Sequence, residues 1–196
     1  MQIRTHVGIS LDGFLATPDG MPTWDSLPAF DPGTHGYDTF MERCDAVVMG
    51  RTSFDQGFED WSKAWPWPDM QVLVLTSRPL AANVPEGVHA SPGGPGGAVQ
   101  QLRDAGVTRD VQVLGGARAI QSFLDAGLLD GLGIVVLPLV LGSGIPLFPI
   151  EPTAFSREAW DARQAATTET PKPPLLRLEE HDAYADGSMH LVYAPA

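Results

Sequence analysis

The chain has 196 residues and a formal net charge of −12 at pH 7. This length predicts one well-packed domain over residues 1–196. The acidic surface repels nucleic acid and anionic membranes, so neither is expected as a partner. Cys44 is the only cysteine, which excludes an intrachain disulfide. The N-terminus lacks the apolar core of a signal peptide and no apolar run could span a bilayer, so we expect a soluble cytoplasmic protein.

The first part of the chain predicts strands that alternate with helices. Residues 3–11 predict a strand, which a loop rich in Gly and Pro follows. The pair Asp31-Pro32 is typical of a helix N-cap followed by a first-turn proline, and apolar residues at helical spacing predict a helix over 33–43. Residues 46–49 predict a short buried strand, which Gly50 closes.

The second part continues this alternation and ends in a hairpin. We expect strands at 72–75, 88–90, 111–114 and 132–139, a turn-rich connector at 91–97, and helices at 98–105 and 117–126. Gly127 fits the C′ position of the last helix. Residues 175–180 and 189–193 predict two antiparallel strands. The expected fold class is α/β, with a central, mostly parallel sheet flanked by helices and a C-terminal antiparallel hairpin.

Ligand-type residues follow three of the predicted strands. Gly50, Arg51 and Thr52 come after one strand, and the segment Thr76-Ser77-Arg78 comes after the next. Leu114-Gly115-Gly116-Ala117 joins a third strand to a helix. Paired glycines let backbone approach a ligand, and a helix N-terminus presents N–H groups to negative charge. Hydroxyls beside an arginine suit a phosphate monoester, such as the 2′-phosphate of NADP.

Each of these groups also has a plain structural explanation. A capped helix start with a surface arginine accounts for the first group, a solvated polar turn for the second, and a tight turn for the third. In open α/β sheets, however, ligands bind outside the carboxyl ends of the strands, which is where all three groups fall. Their agreement favours a nucleotide site.

Four motifs occur in a fixed order over most of residues 1–148. They are Ser10-x-Asp12-Gly13-x-x-Ala16, DAVVMGRTSF, VLGGARAIQSFLDAGLLD and PLVLGSGIPLF. In this order they resemble the dihydrofolate reductase superfamily, and most closely its bacterial branch related to the C-terminal reductase domain of the riboflavin-biosynthesis bifunctional deaminase/reductase. The resemblance implies a dihydrofolate reductase-like fold, NADPH as the cofactor and a homodimer.

The resemblance also assigns residues by position. Those implied to bind the cofactor are Val7, Ala16, Gly50, Arg51, Thr52, Thr76, Ser77, Arg78, Leu114, Gly115, Gly116 and Ala117. Among them, Arg51 and Thr52 would contact the phosphates, and Ser77 and Arg78 the adenosine 2′-phosphate. Val7 and Ala16 would flank the nicotinamide. Trp24, on a mobile lid over residues 12–24, and Phe54 are expected to contact the substrate.

The proton that must accompany hydride transfer has no clear source in the sequence. Counting back from Gly50 without gaps, the helix carboxylate of dihydrofolate reductases falls near Thr34, which cannot do the same work directly. Asp38, one turn later, is the first catalytic candidate, and Asp12 at the end of the first strand is the second. A solvated surface acid and a turn-former before Gly13 are the alternatives.

The substrate is less well defined than the cofactor. Residues 14–42 contain no Lys or Arg, whereas the riboflavin-type enzymes use basic residues to hold a ribose phosphate. Trp61, Trp65 and Trp67 could stack on a heterocycle, but we favour packing in the core or lid. The histidines have no metal spacing, so no metal is expected.

These observations lead us to expect an NADPH-dependent reductase of a small planar heterocycle. Its activity would resemble that of 5-amino-6-(5-phosphoribosylamino)uracil reductase or that of dihydrofolate reductase. The first of these implies a place in riboflavin biosynthesis. The alternative is a nucleotide-binding protein that keeps the cofactor cleft but has lost turnover. A purely structural dimer is a third possibility, and it requires all three strand-end groups to be coincidental.

Overall fold

The structure, a computed structural model, describes residues 1–27, 30–61, 63–148 and 175–196. Its strands are β1 (Ile3–Ser10), β2 (Phe14–Ala16), β3 (Cys44–Gly50), β4 (Gln71–Leu75), β5 (Val88–Ser91), β6 (Asp110–Gly115), β7 (Gly131–Leu137), β8 (Ile145–Pro146), β9 (Leu176–Ala183) and β10 (Met189–Pro195). Its α-helices are α1 (Tyr37–Met41), α2 (Arg51–Trp61), α3 (Gly94–Asp104) and α4 (Ala117–Asp125). Single 3₁₀ turns lie at Thr23–Ser26 and Pro32–His35. No helix within these ranges is long and apolar enough to cross a membrane.

Within the described ranges, eight strands form one sheet in the order β5-β4-β3-β6-β1-β7-β10-β9. The strands from β5 to β7 are parallel to their neighbours. Strand β10 pairs antiparallel with β7, and β9 pairs antiparallel with β10. A small second sheet joins β2 to β8. The predicted α/β class, with a mostly parallel sheet and a C-terminal antiparallel hairpin, is confirmed.

The core lies on both faces of the sheet. On one face, side chains of β1, β3 and β6 pack against α3 and α4, where Leu102, Ile120 and Phe123 are fully buried. On the other face, β3 and β4 pack against Phe54 of α2 and against Trp67. Strands covered on both faces have few polar positions, which is why they are continuous apolar runs in the sequence.

The region predicted as one helix over 33–43 is two short elements. The predicted cap is confirmed, because a carboxylate oxygen of Asp31 accepts the N–H of Gly33 at 2.9 Å. The continuous helix is wrong, because Gly36 has a φ of 83° and so ends the 3₁₀ turn in the left-handed region. Helix α1 begins afresh at Tyr37.

The segment predicted as a connector over 91–97 is largely regular. Ser91 is the last residue of β5, and α3 begins at Gly94 rather than at residue 98. Pro95 in the first turn suits a helix start, and the buried Ala98 and Leu102 hold the helix on the sheet despite its glycines. The prediction that Gly127 follows α4 at C′ is confirmed by its φ of 63°.

Candidate active site

Two helices begin side by side at the carboxyl edge of the sheet. Helix α2 starts directly after β3, and α4 starts after Gly116, which follows the neighbouring strand β6. A Cβ built on Gly50 would lie 3.7 Å from both the carbonyl oxygen of Gly115 and the nitrogen of Gly116. The two turns therefore face each other. In the part of the chain that the structure describes, no side chain caps α4. Its first N–H groups and those of α2 point to one place, where an anion would be stabilised.

The glycines at this place leave room that side chains would fill. A Cβ on Gly116 would come within 3.1 Å of the hydroxyl oxygen of Ser53, on the first turn of α2. The peptide bond between Gly115 and Gly116 is cis. The phosphate-binding prediction for Leu114 to Ala117 thus falls on a turn in which Gly116 is partly exposed and Gly115 and Ala117 are buried.

Arg51 is held along α2 by its own helix. Its Nε donates to both carboxylate oxygens of Asp55, at 2.7 and 2.8 Å, and its Nη1 donates to the carbonyl oxygen of Pro79 at 3.1 Å. These bonds place the guanidinium between the start of α2 and the loop after β4. Thr52, the next residue, is exposed.

The third predicted group lies one strand further along the same edge. Thr76 follows β4, which is the neighbour of β3, and its hydroxyl oxygen accepts the backbone N–H of Arg78 at 3.1 Å. Ser77 and the Arg78 side chain are exposed. The fold therefore brings the three strand-end groups to consecutive strands of one edge, although they are far apart in the sequence.

A cavity of about 400 Å³ opens beside these turns. Its floor is made by neighbouring strands of the sheet, and its walls by the 3₁₀ turns, α1 and the segment after α2. The lining residues are His6, Val7, Gly8, Trp24, Phe30, Pro32, His35, Tyr37, Asp38, Met41, Trp61, Pro66, Trp67, Met70, Leu114 and Val135. Leu114 connects the cavity to the Gly115–Gly116 turn, so the two features form one cleft.

Several predicted residues reach this cavity and others do not. Val7, Trp24, Asp38 and Leu114 line it. Phe54 is only 2% exposed and stacks on Phe58 in the core, so its ring has no surface for a substrate. Phe54 is buried because it lies on the side of α2 that packs against the sheet.

The packing favoured for Trp61, Trp65 and Trp67 is confirmed, and two of the three rings also reach the cavity. Trp67 is buried and makes edge contacts with Trp61 and Trp65, as favoured for core packing. Trp61 and Trp67 also line the cavity. Ala16, predicted to flank the nicotinamide, is buried in the small sheet.

The two carboxylates predicted to be catalytic differ in their surroundings. Asp12 accepts backbone N–H groups from Leu141 at 3.1 Å and Gly142 at 2.8 Å. A hydrogen bond from Ser10 lowers the pKa of Asp12 most, and these backbone bonds lower it further. Asp12 thus anchors the loop after β7, outside the residues that line the cavity. Asp38 lies at the cavity wall with an exposed side chain, near Gly33.

Three polar side chains of the cavity lining are not among the predicted site residues: His6, His35 and Tyr37. Burial is the main cause that raises the pKa of Tyr37 to about 12, so its phenol is neutral and can donate a hydrogen bond. The sequence carried one signal for His6. In a strand, alternate residues share a face, so His6 lies on the same face of β1 as Gly8, toward the cleft.

His35 joins the cavity wall to the C-terminal hairpin. Its Nδ1 lies 2.9 Å from the carbonyl oxygen of Asp31, and its Nε2 lies 3.0 Å from a carboxylate oxygen of Asp186, in the turn between β9 and β10. Hydrogen bonds from Ser188 are the main cause that lowers the pKa of Asp186. The ring is 4% exposed and packs between Phe30 and Tyr184.

In the part of the chain that the structure describes, no three His, Cys, Asp or Glu side chains are arranged to hold a metal ion.

The chain is similar to one protein family and to two curated proteins. The model of the RibD C-terminal domain family matches residues 69–170. The uncharacterized protein YwjB of Bacillus subtilis (strain 168) is 29% identical over 144 residues, which cover 73% of this chain and 80% of that protein. The uncharacterized protein YyaP of the same strain is 26% identical over 166 residues, covering 75% and 80%.

Solved structures share the fold. A putative riboflavin biosynthesis protein from Shewanella sp. PV-4 matches with a TM-score of 0.74 and 24% identity, over 100% of this chain and 99% of that one. A diaminohydroxyphosphoribosylaminopyrimidine deaminase/5-amino-6-(5-phosphoribosylamino)uracil reductase from Thermotoga maritima matches with a TM-score of 0.69 and 15% identity, over 100% of this chain and 56% of that one. These matches confirm the predicted resemblance in fold.

Proposed function

The chain belongs to the RibD C-terminal domain family, and from this membership we propose that it is an NADPH-dependent reductase of a small planar heterocycle. One observation carries the proposal: the N-termini of α2 and α4 converge beside an aromatic cavity at the carboxyl edge of the sheet. Such a convergence suits the pyrophosphate of a dinucleotide, because the free N–H groups need no charged side chains to hold an anion. This matters in a chain with a net charge of −12.

The residues along this edge fit NADPH. Gly50, Gly115 and Gly116 leave space for the pyrophosphate, where a Cβ on Gly116 would crowd the Ser53 hydroxyl. Arg51 and Thr52 would contact the phosphates. Ser77 and Arg78, exposed one strand further along, would bind the adenosine 2′-phosphate. Bound here, NADPH would supply a hydride to a substrate in the cavity.

The cavity favours a flat substrate without a phosphate group. Its walls carry aromatic rings, which stack on heterocycles, and about 400 Å³ suits a molecule of one or two rings. Among the described lining residues, Asp38 is the only Asp or Glu, and none is Lys or Arg. This lining favours a pterin-like or aminopyrimidine ring over a phosphoribosyl compound.

A binding protein without turnover is the second candidate. It is favoured by the carboxylates, because Asp12 is engaged by backbone N–H groups and Asp38 is exposed to solvent. Neither is the buried acid that proton donation in a reductase calls for.

Cofactor binding and turnover can be tested separately. We expect NADPH to raise the melting temperature of the wild-type protein, and Gly116→Ala to abolish that increase by filling the phosphate site. Gly96→Ala, on open surface of α3, is the matched control and should keep it. NADPH oxidation, followed by absorbance, then tests turnover with dihydrofolate, which we expect to be the better substrate, and with 5-amino-6-(5-phosphoribosylamino)uracil, whose phosphate the cavity does not favour. Stabilisation by NADPH without oxidation would favour the binding protein, and no stabilisation at all would refute both.

A further inference from the structure

A histidine stands on the floor of the cavity, in the middle of the sheet. His6 belongs to β1, between β6 and β7, and is only 7% exposed. Its backbone N–H donates to the side-chain oxygen of the buried Gln112, whose amide nitrogen donates back to the His6 carbonyl. Its ring stacks on Phe40 at 5.6 Å and meets Tyr37 edge-on at 5.8 Å. These contacts fix the imidazole beside Val7 and Gly8, where the nicotinamide is expected.

A second histidine packs against the first. The ring centroids of His6 and His190 are 4.6 Å apart. His190 lies on β10 and reaches His6 across Gly133 of β7, where a Cβ would stand 3.4 Å from the His190 Nε2. This Nε2 is buried and has no hydrogen-bond partner among the described residues. A buried nitrogen without a partner is costly in a folded protein, which points to a role beyond packing.

The geometry points to His6 as the residue that gives the proton to the substrate, with His190 as a positioning residue that tunes it. This inference rests on the proposed reductase function. Reduction of a C=N bond adds a hydride to the carbon, and the electron pair of the double bond moves to the nitrogen. The nitrogen then takes the proton of the His6 imidazolium, which leaves a neutral amine and a neutral imidazole. His6 regains a proton from solvent.

The groups around His6 make its imidazolium more acidic than that of an ordinary histidine. Burial and, after it, the neighbouring His190 lower the pKa of His6 from 6.5 to about 4, against a hydrogen bond to the His35 backbone that raises it. The His35 ring acts in the same direction as His190, and Tyr37 is neutral. Burial lowers the pKa of His190 as well, while Asp182 and Glu180 on β9 raise it. Few His6 rings are protonated at neutral pH, so turnover should depend steeply on pH.

The test is the pH profile of kcat/KM for NADPH oxidation, with the two substrates named above. Between pH 5 and pH 8 the wild-type value should fall about tenfold per pH unit, because His6 titrates below this range. His6→Gln should lower kcat/KM by roughly 10²-fold or more and flatten the profile, which is the usual scale of general acid catalysis. His190→Gln should raise kcat/KM at the acid end of this range, because the charge of a protonated His190 lowers the His6 pKa, and should have little effect at pH 8, where His190 is neutral.

Two further measurements keep the outcomes separate. His181→Gln, an exposed histidine on β9, is the matched control and should leave rate and profile unchanged. Titration of the histidine C–H resonances by NMR needs no substrate, and the midpoint of His6 should rise in His190→Gln. Two results would overturn the role of His6 and leave the proposed function intact. One is a wild-type protein that oxidises NADPH while His6→Gln has the same kcat/KM and the same pH profile. The other is a His6 titration midpoint that is unchanged in His190→Gln. If the wild-type protein neither binds nor oxidises NADPH, the proposed function fails and this inference fails with it.

Discussion

Burial of a single ring gives the folded protein a pH dependence. His6 has an ordinary pKa of 6.5 in an unfolded chain, and burial followed by His190 lowers it to about 4 in the native state. Between these two values the unfolded chain binds a proton that the native state does not bind. Stability is therefore complete above pH 6.5 and is lost as the pH falls toward 4.

Replacement of His6 by an apolar ring should remove this dependence. Between pH 7 and pH 4.5, the free energy of unfolding should fall less in His6→Phe than in the wild-type protein. The two decreases should differ by at most about 3 kcal/mol, which corresponds to the shift in the His6 pKa. Urea unfolding at several pH values measures it. His181→Phe, at an exposed position, should keep the wild-type slope, and an unchanged slope in His6→Phe would contradict the assignment.

Cofactor choice is also decided by single residues. If Arg78 binds the adenosine 2′-phosphate, Arg78→Ala should weaken NADPH binding by roughly 1–3 kcal/mol, the loss expected for a charged hydrogen-bond partner. NADH lacks that phosphate, so its affinity should not change. Calorimetric titration measures both affinities, and Arg103→Ala, at an exposed residue of α3, serves as the control. Equal losses for the two cofactors would refute the role of Arg78.

The sequence alone predicted functional residues where a local sequence pattern marks them. Gly115 and Gly116 are a pair that follows a strand, so their role could be proposed without coordinates. His6 could not be placed in the same way, because its surroundings come from Tyr37 and His190, which are distant in the sequence. The missing side chain of Gly133, which allows the contact, has no local signature.

Short elements form one wall of the cavity. The 3₁₀ turn Pro32–His35 and helix α1 both line it, and Gly36 joins them in a left-handed conformation. Helical spacing alone predicted one continuous helix here, because a left-handed residue leaves the apolar pattern unchanged. The start of α3 was missed for the opposite reason, since its glycines suggest a turn and only packing makes them helical.

The two kinds of glycine should respond oppositely to alanine. Gly36→Ala should lower the free energy of unfolding by about 1–2 kcal/mol, because a side chain in the left-handed region is strained. Gly96→Ala should raise it by roughly 0.5–1 kcal/mol, because Gly96 is helical and has open space around it. Denaturant unfolding of both variants measures the difference. Stabilisation by Gly36→Ala would show that the cavity wall does not need the left-handed turn.

At the scale of the whole molecule, the sheet of the described residues is open, with β5 and β9 as its outer strands. Strand β9 is the last in the order, and no other strand in the described ranges pairs with its outer side. Leu175, Leu178 and Met189 expose apolar side chains at this end of the sheet, Leu175 to 74%. An exposed apolar edge strand is a natural site for association, so we expect the predicted homodimer to form here.

Charge at this edge should separate the subunits. We expect Leu178→Lys to convert a dimer into a monomer, because it places like charges opposite each other across a symmetric contact. Sedimentation velocity measures the mass. Leu11→Lys, at an exposed leucine after β1, is the control and should stay dimeric. A dimeric Leu178→Lys protein would place the contact elsewhere.

The parallel sheet itself was the most predictable level of structure. Continuous apolar runs marked its central strands, and the rule that ligands bind at carboxyl strand ends predicted the edge at which we propose that NADPH binds. The cavity was less predictable, because its walls come from segments with weak patterns. Phe54, for example, has an aromatic ring that would suit a binding site, but the ring packs in the core.

His35 belongs to two parts of the molecule at once. Its ring lines the cavity, and its Nε2 is bonded to Asp186 in the turn of the hairpin that carries β9. A ligand in the cavity and a second subunit on the hairpin would thus act on the same residue. If dimerisation changes the affinity for the ligand by some factor, ligand binding must change the affinity between the subunits by the same factor. The affinity for a substrate should then vary with protein concentration, as the population moves between one subunit and two.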